Sequence, residues 1–349
     1  MLKIVILFLT IFSCFLSGAQ VLTGTVYDET TKKPIPGVVV YLDGTMISTY
    51  TDTLGKYKLV PKEKINTKLV FHHVVYDDLV EPDPFGTPSG IYYMKEKINI
   101  LDEIKIIAEA EGYSHAQKMR AFRDQFLGLT KAGSSCQIIN EDDITLTYDS
   151  KTQKLSASSE TPLIIINNYL NYKIMFTLKG FWIQYNSSKM ATANIEKSFY
   201  AGYSSFTDLS PEDKKIKRRR RDIYDNSPNY FFKKIATKSL SNTNFKLYNK
   251  NFTLTNQSLH FHVKDTLSQT MIKIKPDSNM DVFKTEGFTI NVMYNERVVS
   301  EITFFTDSIL VDSYGNINTI DKVLYRGYMG QMRVGDMLPL NYEIESVFR

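Results

Sequence analysis

The sequence predicts a mainly β protein: an N-terminal β-sandwich followed by a larger β-rich domain with a few inserted helices. Three observations carry that prediction. Short runs rich in β-branched and aromatic residues recur between clusters of Gly, Pro, Asn and Asp, the pattern of strands joined by turns. The chain holds 22 Tyr and 21 Phe against only 17 Gly, so it has bulky side chains to fill cores and little low-complexity linker. Its 349 residues exceed one small sandwich and fit two domains.

Residues 1–19 read as a signal peptide. Lys3 supplies the positive n-region, residues 4–16 a short apolar core, and Ser17-Gly18-Ala19 the small residues before a cleavage expected between Ala19 and Gln20. The apolar run is shorter than the roughly 20 residues a spanning helix needs, and no later segment reaches that length. A second processing reading makes Cys14, after Ile11-Phe12-Ser13, a lipidated residue; bulky Phe12 and the continuing Phe15-Leu16 fit that pattern less well. Once the leader is lost, Cys136 is the one remaining cysteine, so stability cannot come from an internal disulfide. A lone thiol reads as a small buried hydrophobe, because a catalytic one needs a histidine partner.

The first domain is expected over residues 20–108. Residues 21–26 form a strand that enters the polar turn Asp28 to Pro34, whose residues bond their own backbone or fix φ. Pro36-Gly37 opens the β-branched run Val38-Val39-Val40-Tyr41-Leu42. Residues 49–53 make a short strand, and Leu54-Gly55 reverses the chain into Lys56-Tyr57-Lys58-Leu59-Val60, where Tyr57 and Leu59 share one face. Residues 69–71 and 91–94 are further strands, separated by the Pro/Gly-rich loop 81–90.

Gly24, Val26, Asp28, Pro34, Ile35, Val38, Val40, Thr51, Asp52, Gly55, Tyr57 and Leu59 together resemble the carboxypeptidase regulatory-like family. That resemblance implies a transthyretin/Ig-like β-sandwich and a non-catalytic appendage. Asp52 has a physical task as a turn cap and Gly55 as a positive-φ residue. A calcium site at Asp52 lacks the oxygen-rich neighbours the ion requires. Leu101-Asp102-Glu103-Ile104-Lys105-Ile106-Ile107 resembles the closing strand of such modules in envelope proteins of the Bacteroidota, where a barrel often follows. The regular alternating segments of a barrel are missing here.

Residues 109–130 are expected to be a helical linker, with Met119, Phe122 and Phe126 at helical spacing and Gly128 ending it. Residues 131–349 form the β-rich domain. Residues 144–148 and 154–157 flank a polar turn and read as a hairpin. Later strands are expected at residues 172–178, 181–185, 199–206, 245–248, 288–293, 302–305 and 309–312. The pattern of Phe122 to Cys136, Pro162-Leu163-Ile164-Ile165, Val311-Asp312-Ser313-Tyr314-Gly315-Asn316 and Gly335-Asp336-Met337-Leu338-Pro339-Leu340-Asn341-Tyr342 resembles a family that follows this regulatory module. It implies architecture and no activity. Helices are expected near residues 211–224 and 228–240, each opened by a Ser-Pro pair at Ser210 and Ser227.

Between those pairs lies the run Lys214-Lys215-Ile216-Lys217-Arg218-Arg219-Arg220-Arg221. On a helix its four arginines spread around the circumference, so some face neighbouring strands and pair with carboxylates or carbonyls. The rest form a solvated face or an anion-binding site made by Arg218, Arg219, Arg220 and Arg221. A net charge of +4 is too mild for a nucleic-acid partner.

Zinc catalysis needs three protein ligands, and the five histidines, His72, His73, His115, His260 and His262, form no His-x-x-Glu or His-Glu-x-x-His motif. Only His260 and His262, two apart, would share a strand face. A nucleophile elbow and phosphate-binding glycine loops are also missing. The expectation is an exported, non-catalytic envelope protein, periplasmic or outer-membrane associated. It needs no cofactor, binds an envelope protein or polysaccharide partner, and acts as a binding, docking or assembly scaffold. The alternative is an envelope hydrolase, peptidase- or glycosidase-like, whose site assembles only in the fold.

Overall fold

The computed structural model describes residues 21–97, 112–249, 251–266, 268–276 and 282–344. The expected signal peptide, Cys14 and the strand expected at 101–107 lie outside the described residues. The chain divides into two compact units: Met1–Tyr41, Ile47–Lys64 and Lys68–Lys97 form one, and Leu42–Met46, Ile65–Thr67 and Ile98–Arg349 the other. Two short segments of the region read as the first domain thus group with the second unit.

The first unit is a sandwich of β1 (Leu22–Asp28), β2 (Val39–Leu42), β3 (Ser48–Tyr50), β4 (Lys56–Leu59), β5 (Leu69–His73), β6 (Tyr76–Glu81) and β7 (Ser89–Met94). One sheet has the order β4-β1-β7 and the other β3-β2-β5-β6. β1 runs antiparallel to β4 and parallel to β7. Val26, Val40, Val70 and Phe71 are fully enclosed in the core. Asp52 caps the turn before β4, its Oδ1 accepting the Leu54 and Lys56 N–H groups at 2.8 and 2.9 Å. Gly55 has φ +71°, and a Cβ there would lie 2.5 Å from the Val26 carbonyl oxygen. Only glycine meets both demands. Strand β6 escapes sequence reading because Asp77-Asp78 look like loop residues; Asp78 instead turns inward to His72 Nδ1 at 2.6 Å.

The second unit begins with α1 (His115–Phe126) and α2 (Lys131–Ser134), then β8 (Cys136–Ile138), β9 (Ile144–Asp149), β10 (Lys154–Ser159), β11 (Leu163–Asn167), β12 (Tyr172–Tyr185) and β13 (Ile195–Asp208). The two strands expected at 172–178 and 181–185 are one. Strand β12 passes through Lys179-Gly180 with a register shift between Leu178 and Gly180, a bulge that absorbs the glycine without ending the strand. It pairs along its length with β13, while β11 and β10 share its other edge.

A capping box starts α1, with Ser114 and Gln117 bonding each other's backbone N–H. Its Met119, Phe122 and Phe126 join the core of this sheet, Phe122 edge-on to Phe181 and Phe126 edge-on to Phe176. Full burial of each side chain is worth roughly 1.5–3 kcal/mol. The helix read as a linker is therefore part of the second unit's core.

The chain continues through α3 (Lys214–Tyr224), α4 (Pro228–Ala236), β14 (Phe245–Tyr248), β15 (Leu254–Thr255), α5 (Gln257–His260), β16 (Phe261–Asp265), β17 (Thr270–Ile274), β18 (Phe288–Tyr294), β19 (Val298–Phe304), β20 (Ser308–Val311), β21 (Val323–Arg326) and α6 (Gly327–Gln331). Strands β15-β14-β18-β19-β21 form one sheet and β16-β17-β20 another. Phe231, Phe232 and Ile235 of α4 lie in a second core cluster with residues of both sheets. Ser227 caps α4, accepting the Tyr230 N–H, with Pro228 in the first turn. Helix α3 departs from the expected start. Its cap is Asp213, which accepts the Lys215 and Ile216 N–H groups. Ser210 is engaged in the preceding turn instead: its N–H donates to Asp208 Oδ1 at 2.9 Å, and its hydroxyl accepts from the Asn171 amide.

Candidate ligand cleft

Helical geometry sorts the basic run. At 100° per residue, Ile216, Arg220 and Tyr224 fall on one face, Lys217 borders it, and Lys214, Lys215 and Arg218 fall largely opposite. The first three are buried. Arg220 lies over the end of β13 and the start of β12. It donates to both Asp208 oxygens at 2.6 and 2.7 Å, to the Leu170 carbonyl at 2.8 Å and to the Asn171 carbonyl at 3.1 Å. Its guanidinium carbon stands 3.8 Å from the centroid of the Tyr172 ring. Burial pushes the Asp208 carboxyl up, but the Arg220 bonds and the Ser210 N–H outweigh it and hold the group below its ordinary value.

The four arginines therefore have different partners, and Arg218, Arg220 and Arg221 but not Arg219 line one cleft. Arg220 is fully committed to the fold. Arg219 donates to the Tyr169 carbonyl at 3.1 Å and stacks on the Tyr169 ring. Arg221 lies 3.7 Å from Asp225, one turn ahead. Arg218 alone is exposed. Sequence reasoning anticipated that some arginines would turn inward but could not say which, because the partners come from the turn before β12 and from the end of β13.

Arg218 and its neighbours border a cleft of about 870 Å³. Six cationic side chains line it, Lys214, Lys215, Lys217, Arg218, Arg220 and Arg221, against the carboxylates Asp208, Asp222 and Glu343. Apolar surface comes from Met46, Pro211, Tyr342 and Ile344, with Tyr172 at its base beneath Arg220. Tyr342 is held by its N–H bond to the Pro339 carbonyl at 2.8 Å and by its ring, 5.2 Å from that of Tyr224. Pro211 and Tyr342 were noted in the sequence only as a helix-start signal and as part of a motif, and Met46 and Ile344 gave no signal.

The other candidates are structural. His260 closes α5, its Nε2 2.8 Å from the Thr255 hydroxyl, and the strand starts only at Phe261. His260 is buried and His262 exposed, so the shared face expected of an i, i+2 pair is lost. Among the described residues no group of three or more His, Cys, Asp or Glu is placed to hold a metal. Burial, helped by the Asp336 charge, pushes the Cys136 thiol up to about 12, which keeps it protonated. The motif carboxylates organise turns. Asp312 accepts the Asn66, Tyr314 and Asn316 N–H groups and the Asn316 side-chain amide. Asp336 accepts the Thr130 hydroxyl and the Arg333 N–H.

Residues 22–106 match the family model of the CarboxypepD_reg-like domain. The N-terminal sandwich is thus similar to a regulatory-like domain. The matched span takes in the turn residues Asp52 and Gly55, and of the cleft's lining it reaches only Met46. No curated protein matches the chain.

Proposed function

We propose that the protein is an exported, non-catalytic binding protein of a cell envelope, with the regulatory-like domain as a docking or stabilising module and the ligand held by the second unit. The cleft beside α3 carries this reading. Its floor is a saturated pair, Arg220 on Asp208, while cations line it above. Asp208, the carboxylate at the base, stays ionised and has both oxygens occupied, so it has no proton to give and little basicity to offer. Such a site attracts and orients a ligand without transferring protons to it.

The test uses purified full chain against chromogenic peptide, ester and glycoside substrates, alongside binding assays with anionic polysaccharide. Saturable binding without turnover supports the proposal. Turnover that disappears on substitution of Asp208, Asp222 or Glu343 overturns it in favour of an envelope hydrolase.

A further inference from the structure

We infer that the cleft binds a phosphate ester whose substituent is a ring or an acyl chain; this names the ligand of the binding site proposed above and rests on that proposal. Lys214, Lys215 and Arg218 are exposed, line the cleft, and have no side-chain partner among the described residues. Lys214 and Arg218 stand four residues apart on one helical face, a like-charge spacing that destabilises a helix until an anion screens it. A carboxylate brings one negative charge, whereas a phosphate monoester brings nearly two and three acceptor oxygens, which suits a cleft where six cations face the three carboxylates Asp208, Asp222 and Glu343. Arginine offers a planar fork of donors to such oxygens and lysine a mobile point charge.

The rest of the cleft argues against bare inorganic phosphate. Met46, Pro211, Tyr342 and Ile344 give it an apolar side, which the phosphate's substituent would cover. A volume of about 870 Å³ is in the range of small-molecule sites and accepts a single headgroup or sugar phosphate. The base is rigid because Arg220 is locked to Asp208, Leu170 and Asn171, so α3 presents its outer cations at fixed spacing.

Calorimetric titration of the full chain with p-nitrophenyl phosphate tests the inference, with inorganic phosphate as the ring-free comparison. The aryl ester should bind more tightly than inorganic phosphate, and added salt should weaken it. The double variant Lys214→Glu, Arg218→Glu should lose about tenfold or more in affinity, the effect of removing charge-assisted bonds, while melting like the parent. No binding of the aryl ester by the parent, or equal binding by parent and variant, overturns the inference. Co-sedimentation with phosphatidylglycerol vesicles, competed by the aryl ester, identifies a lipid-borne phosphate; ester binding without sedimentation identifies a soluble one. Binding of oligogalacturonate but not of the aryl ester overturns the phosphate assignment and leaves the binding function standing. Release of p-nitrophenolate overturns the non-catalytic function and leaves phosphate recognition standing.

Discussion

Arg220, buried, and Asp208, half-buried, form the pair on which α3 rests, and removing the carboxylate leaves the guanidinium charge enclosed. Asp208→Asn should destabilise the protein by about 3 kcal/mol near neutral pH, read from urea unfolding. The pH dependence has a definite sign. Asp208 titrates lower in the folded chain than in the unfolded one, so its contribution is present above the ordinary carboxylate pKa and fades as pH falls through the depressed folded value. The gap between parent and variant should therefore close in acid, and a pH-independent gap would show that the carboxylate charge is not the cause. Cys136 supplies a second residue-scale prediction. With its thiol pushed up to about 12 and its Sγ 3.3 Å from the Ala132 carbonyl, it should react with a disulfide reagent at mildly alkaline pH far more slowly than in denaturant. Equal rates would contradict the partial burial that keeps its thiol protonated. At this scale the sequence is most readable where a residue's task is local. Asp52 caps its own turn and Gly55 supplies that turn's positive φ, so both could be identified from it, although Gly55's approach to the Val26 carbonyl could not. His260 and Arg220 depend on partners from other segments, Thr255 and Lys275 for one and Leu170 and Asp208 for the other, which spacing alone does not encode.

Elements were legible where their signals were continuous. Ser227-Pro228 specified α4, and the alternation of Ile144, Leu146 and Tyr148 specified a strand with those residues inside. Lys179-Gly180 looked like a break and is a bulge, because pairing with β13 on one edge holds the backbone through it. Ser210-Pro211 looked like a helix start and is a turn, because β13 ends at Asp208 and Asp213 then caps the helix. Asp213→Ala should accordingly cost about 1 kcal/mol, measured by thermal or urea unfolding. A sharper element-scale prediction concerns the contact of α2 with the turn at Val334–Asp336. The Gly335 N–H donates to the Leu127 carbonyl at 3.0 Å, and a Cβ on Gly335 would lie 2.3 Å from Gly133 Cα. Backbone presses on backbone there, so no side chain can yield. Gly335→Ala should cost about 1–3 kcal/mol by overpacking, and a neutral result would mean the two segments are not held so closely.

The whole molecule draws its stability from aromatic cores rather than covalent links. Separate clusters centred on Phe122, Phe126 and Phe181 and on Phe231, Phe245 and Phe304 fill the second unit. Its division between sheets was hidden from the sequence, since aromatic strands of similar composition serve both clusters. A chain with one cysteine beyond residue 19 can fold in an oxidising compartment without forming or reshuffling internal bridges. Two outcomes should follow in cells. Fractionation should place the protein outside the cytoplasm, with a mature N-terminus at Gln20, and deletion of residues 1–19 should leave it inside. Metabolic labelling of the parent by a fatty acid, lost on Cys14→Ala, would instead show the lipoprotein route. Reductant should leave the melting temperature of the processed protein unchanged, because no disulfide contributes to it. A cytoplasmic parent protein with its leader intact would remove the export half of the proposed function, and it would leave the cleft chemistry untouched, since the cations of α3 need no particular compartment to bind an anion.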